Sequence, residues 1–188
     1  MTDFSHLREV SINEELIFHG RIMDVIRRKV QLPNGNSSSR EIVRHHGGAA
    51  IVPVDQDGMV TLVRQHRIAV DQFTLEIPAG KLNSPDENPL LAAQREMEEE
   101  AGLRAQHVEL LSIMLPTPGY STEKLYLYLA TGLTSCATHL DADEFVDVFR
   151  LPMQEALAQV ISGEINDAKT ALALLLAKER LSRQAQDA

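Results

Sequence analysis

Four glutamates crowd into one short stretch, Arg95-Glu96-Met97-Glu98-Glu99-Glu100-Ala101-Gly102-Leu103, and three of them constrain this chain more than any other feature. The surrounding segment, Asn88 to Ala101, reads as a helix. Leu90, Ala93, Met97 and Ala101 recur at spacings of three and four, which places them on one buried face. Pro89 falls in the first turn, where a helix tolerates proline, and Gly102 stands where helices commonly stop. On such a helix Glu96, Glu99 and Glu100 share a face. Like charges at those spacings cost a few tenths of a kcal/mol (roughly) per pair, so either water solvates them or something offsets the repulsion. A hard divalent cation such as Mg²⁺ would do so: it takes carboxylate oxygens, keeps several waters and also binds phosphate. Arg95 lies four residues before Glu99, within reach of that carboxylate. The apolar stripe opposite, the glycine stop and the glycine-bearing loop before the helix favour the cation over a merely solvated acidic face.

The rest of the chain alternates strands and helices. Ile22–Leu32 is rich in β-branched residues, Pro33-Asn34-Gly35-Asn36 signals a turn, and Arg40–Arg44 reads as the returning strand. The apolar run Ala49–Val54 suits a buried strand, and a turn at Asp55-Gln56-Asp57-Gly58 suggests that Met59–Arg64 pairs back on it. Thr74–Ile77, Val108–Leu115, Lys124–Ala130 and Phe145–Phe149 read as further strands. Met153–Ile161 and Asp167–Leu181 read as helices. Strands around a central helix, with helices at the end, predict an α/β sandwich.

Composition narrows the partners. A formal charge of -9 disfavours nucleic acid and anionic membrane, which need clustered Lys and Arg. A phosphate substrate would then require local positive charge from a metal or a few arginines. The single cysteine, Cys136, excludes an internal disulfide and a cysteine-based zinc cluster. No apolar run approaches the roughly 20 residues of a membrane span. Residues Met1–Glu15 show no secretory pattern, so the expected compartment is the cytoplasm.

Gly80, Glu87, Arg95, Glu96, Met97, Glu99, Glu100, Gly102 and Leu103 resemble the Nudix box. The match is complete from Glu87 to Leu103, but six residues rather than five separate Gly80 from Glu87. We read this as a one-residue insertion near Asn83-Ser84-Pro85. The resemblance implies an α/β Nudix fold, an α/β/α sandwich with a mixed sheet. A short N-terminal antiparallel β segment (residues 1–45) would precede the hydrolase domain (residues 46–188). It also implies Mg²⁺, or Mn²⁺ in its place, held by Glu96, Glu99, Glu100 and the backbone carbonyl of Ala79.

The flanks resemble ADP-ribose pyrophosphatases within that family. Leu75-Glu76-Ile77-Pro78-Ala79-Gly80-Lys81, Arg64-Gln65-His66-Arg67, Pro118 sixteen residues after Gly102, the Asp141–Val146 stretch and Gly163–Ala168 carry the likeness. It implies hydrolysis of ADP-ribose to AMP and ribose 5-phosphate. GDP-mannose or ADP-glucose as substrate, and a non-catalytic ADP-ribose sensor, stay open as alternatives. Arg64 and Arg67 would grip phosphate oxygens, Glu76 would lie near metal and substrate unless it pairs with Lys81, and Pro118 would shape a substrate loop. Arg95 would orient Glu99. Glu144 is expected to be the general base, with Asp143 and Asp141 as runners-up. The chain is expected to be a homodimer whose N-terminal strands reach the partner, where Arg28 (or Arg27) would stack on adenine.

Overall fold

The computed structural model describes residues 3–140 and 144–187. Asp141 and Asp143 lie outside the described residues. The chain forms two compact units, Met1–His46 with Leu115–Glu123, and Gly47–Met114 with Lys124–Ala188.

The first unit is built on an antiparallel sheet in the order β1-β2-β3, with β1 at Val10–His19, β2 at Met23–Gln31 and β3 at Ser37–His45. The expected turn is present: the Asn34 side chain accepts from the Asn36 amide, and Gly35 takes a φ of 85°. β1 was not legible in the sequence. All ten of its residues are exposed, so no burial alternation marks it. It is held by its ladder to β2 and by Glu14, which receives both Arg28 and Arg44. Residues 115–123 return to this unit, where the Val43 amide donates to the Tyr120 carbonyl.

The second unit centres on a mixed four-stranded sheet. β4 (Gly48–Pro53) runs parallel to β9 (Leu125–Ser135) and antiparallel to β7 (Ala79–Lys81), while β8 (Leu103–Met114) pairs antiparallel with β9. Strand alternation sorts the layers. Ala49, Ile51, Tyr128 and Ala130 face Ala92, Ala93 and Met97 of helix α1 (Pro89–Ala101). Ala50, Val52, Leu127 and Leu129 face the opposite layer, where Ala173, Leu174 and Ala177 of α3 (Ala168–Asp187) are fully buried. This is the expected α/β/α sandwich with a mixed sheet.

Two sequence readings are corrected. Met59–Arg64 does not form a hairpin ladder with β4. Asp55 does close the turn, accepting from the Met59 amide, but only an isolated Val54–Val60 bridge follows. The chain then enters a second sheet, ordered β10-β5-β6, with β5 at Met59–Arg67, β6 at Gln72–Glu76 and β10 at Asp147–Pro152. The strand expected at Phe145–Phe149 therefore lies two residues later, where it pairs with β5 and runs into helix α2 (Met153–Ser162). Among the described residues, no helix is long and apolar enough to cross a membrane.

Candidate active site

Helix α1 presents the carboxylates because both its ends are fixed locally. The Asn88 side chain accepts from the Leu90 amide at 2.9 Å, Pro89 opens the first turn, and Gly102 closes the helix at a φ of 62° with its amide on the Glu98 carbonyl. The buried face is wider than its apolar stripe suggests, for it includes Glu96 and Glu100, 6% and 4% exposed. These two are therefore not part of a solvated acidic face.

Their surroundings are specific. The Ala79 amide donates to Glu100 Oε2 at 2.9 Å. Glu96 lies against Gly80 so closely that a Cβ there would stand 1.9 Å from Glu96 Oε1. With the carboxylate in that position, a side chain at residue 80 would displace it. Burial pushes Glu96 up to about 7, reinforced by the charges of Glu99 and Glu144 and opposed by Arg95. Burial likewise pushes Glu100 up to about 8, reinforced by Glu96 and Glu144, while the Ala79 amide and Arg67 oppose it. Arg95 Nη1 lies 2.7 Å from Glu96 Oε1 and donates to Glu99 Oε2 at 2.9 Å, and Nη2 is 3.6 Å from Glu87. The extra loop residue thus leaves Glu87 facing Arg95.

The donor set fits a hard divalent cation. Two buried carboxylates pay the cost of proximity and burial, a third stands beside them, and a peptide segment lies against them without an intervening side chain. Among the described residues no closed cage of three or more ligands is assembled, since Glu96 and Glu99 both lean on Arg95.

On the other flank, Glu76 is 1% exposed. It takes Arg67 bidentately, Nε to Oε1 at 2.7 Å and Nη2 to Oε2 at 2.8 Å, and accepts from the Thr74 hydroxyl at 2.5 Å and from Lys169. Burial alone would raise its pKa, but Arg67, Lys169 and Thr74 bring it down to about 2. Its partners are Arg67 and Lys169, not Lys81. Lys169 went unmarked in the sequence because nothing local links it to a residue 93 positions away.

A cavity of about 820 Å³ opens beside β5 and β6, lined among others by Arg64, Phe73, Glu144, Phe145 and Glu164. The Arg64 guanidinium sits 4.6 Å from the centre of the Phe149 ring. The second unit therefore brings together Arg67, Glu76, Ala79, Arg95, Glu96, Glu99 and Glu100, with Glu144 close enough to act electrostatically on Glu96 and Glu100. Arg28 and Pro118 belong to the first unit. Arg28 donates to Glu14 from Nε and Nη2 at 3.0 and 2.7 Å, and Pro118 opens the turn that returns residues 117–121 toward Val43.

The family described as the NUDIX domain matches residues 44–174. The chain belongs to the Nudix family. It is a Nudix enzyme of the pyrophosphohydrolase class, a family that typically uses a divalent metal. Over 182 residues it is 38% identical to the ADP-ribose pyrophosphatase of Bacillus subtilis (strain 168), covering 96% of this chain and 98% of that protein. It is also similar to the methanol dehydrogenase activator of Bacillus methanolicus, 40% identical over 168 residues and covering 88% and 90% of the two chains. A solved structure titled ADP compounds hydrolase superposes with a TM-score of 0.82 at 24% identity, covering 94% of this Nudix chain and 96% of the other, a likeness of fold.

Proposed function

We propose that this Nudix enzyme hydrolyses the diphosphate of a nucleoside diphosphate sugar, ADP-ribose to AMP and ribose 5-phosphate. The observation that carries the reading is the pairing of charge in the second unit. A guanidinium fixed on Glu76 stands near Glu100, while Glu96 lies against Gly80, Glu100 accepts from the Ala79 amide and Glu99 shares Arg95 with Glu96. A diphosphate linkage needs both halves: cationic donors for its oxygens and carboxylates for Mg²⁺. The near full-length similarity to an ADP-ribose pyrophosphatase supports the choice of sugar.

In this reading Glu96, Glu99, Glu100 and the Ala79 carbonyl hold Mg²⁺, or Mn²⁺ in its place. The metal, when bound, neutralises phosphate charge and lowers the pKa of water. Arg95 keeps Glu99 in position. Arg67 and Arg64 hold phosphate oxygens. Glu144 accepts a proton from the attacking water as its oxygen bonds to phosphorus. The bridging P–O bond then breaks, and its electron pair leaves with the departing phosphate.

The test is a panel of ADP-ribose, ADP-glucose and GDP-mannose with Mg²⁺, scored for nucleoside monophosphate. ADP-ribose should give the highest kcat/KM. A higher value for GDP-mannose would overturn the substrate, and tight ADP-ribose binding without turnover would make the protein a sensor.

A further inference from the structure

The first turn of α3 is tied to the end of β6 by side chains that the catalytic assignments leave without a role. Asp167 Oδ2 accepts from the Thr170 amide at 3.0 Å, the Thr170 hydroxyl at 2.6 Å and Lys169 Nζ at 3.0 Å. Lys169 also reaches Glu76, and Thr170 Oγ1 accepts from the Ile77 amide at 3.0 Å. The clasp therefore grips Glu76 and Ile77, immediately before the Pro78-Ala79-Gly80 segment that lies along the carboxylates.

Charge gives the clasp a second consequence. Arg67 and Glu76 alone form a neutral pair. Lys169 adds a second cation to the same carboxylate. Asp167 completes a set of two cations and two anions, and its charge reaches Arg67 as well, so loss of Lys169 would leave a net negative charge behind the guanidinium. Arg67 keeps Nε and Nη2 on Glu76, while its side chain remains 41% exposed, so that a ligand can reach it. The Lys169 side chain is 12% exposed, so it acts through Glu76 rather than on a ligand.

We propose that Lys169 is a positioning residue that balances Glu76 and Asp167, so that Arg67 is held rigidly with no net negative charge behind it when the diphosphate binds. This rests on the pyrophosphohydrolase reading but not on which sugar is cleaved. The probe is methylenediphosphonate with Mg²⁺, a diphosphate mimic whose bridge resists hydrolysis, titrated calorimetrically into the full chain.

Lys169→Met should weaken binding about tenfold, the scale of one charge-assisted contact, while Lys169→Arg stays near wild type. Lys169→Met with Asp167→Asn should recover to within about threefold of wild type, because charge balance is restored while Glu76 still holds Arg67 and Asn still caps α3. With ADP-ribose as substrate the loss in Lys169→Met should fall on KM rather than kcat. Unchanged affinity in Lys169→Met overturns the proposal, as does a double variant as weak as the single one, which would mark a merely structural tie. If Lys169→Met fails to fold, the double variant decides alone: near-wild-type affinity supports the proposal and a tenfold loss overturns it. A wild type that binds the mimic but leaves ADP-ribose intact would remove only the substrate assignment.

Discussion

Glu100 shows how one residue can serve function at the expense of stability. Its carboxyl is raised from the ordinary 4.5 to about 8, and that of Glu96 to about 7. The folded state therefore binds these protons more tightly than the unfolded chain does. The associated stability is fully present below about pH 4.5 and is lost as pH rises through 7 and 8. Glu76 has the opposite sign: its stabilisation is present above about pH 4.5 and is lost as pH falls towards 2. Metal-free protein should accordingly melt at lower temperature at pH 8.5 than at pH 6, and Glu100→Gln should flatten that slope. The same substitution should leave the fold intact and lower turnover roughly a hundredfold or more. A flat metal-free profile in the wild type, or near-normal turnover in the folded variant, would refute the assignment of Glu100. Glu144→Gln should depress kcat strongly while ADP-ribose and Mg²⁺ still bind. Unchanged kcat would move the base elsewhere.

Helix α1 was readable because its period, its proline and its glycine are local; the sequence counts Asn88 as the first helical residue, whereas the structure makes it the cap. Met97 anchors it against the sheet at 1% exposure, so Met97→Ala should cost about 2–5 kcal/mol. A loss under about 1 kcal/mol in denaturant titration would show that α1 is held mainly by its other contacts. The strands were legible in part. A turn can be read at Asp55–Gly58, but which sheet the chain joins after it depends on β10, far along the sequence, as well as on β6. β7 has only three residues, too few for any pattern. The site divides in the same way. Its carboxylates lie on one helix and declare themselves, and Arg67 and Glu76 stand in stretches that carry the family likeness, whereas Lys169 is brought to Glu76 by folding alone.

For the whole molecule, the first unit carries an apolar surface that its own sheet does not cover. Val10, Ile12, Leu16, Ile17 and Phe18 on β1 are each about half exposed or more, more than a lone strand keeps bare without cause. We expect a homodimer through this unit, seen by sedimentation at micromolar concentration. A fully active monomer there would refute it.

The clasp of α3 onto β6 also bears on where the chain can be cut. The NUDIX match ends at residue 174, yet Ala177 is fully buried and Leu181 packs against the same core. A fragment trimmed to the matched boundary would end α3 in mid-helix and remove Ala177 and Leu181 from that core. Trimmed before Asp167, it would also strand the Ile77 amide without the Thr170 hydroxyl. The core thus extends at least through Leu181, and the C-terminal helix is part of the hydrolase fold rather than an appendage to it.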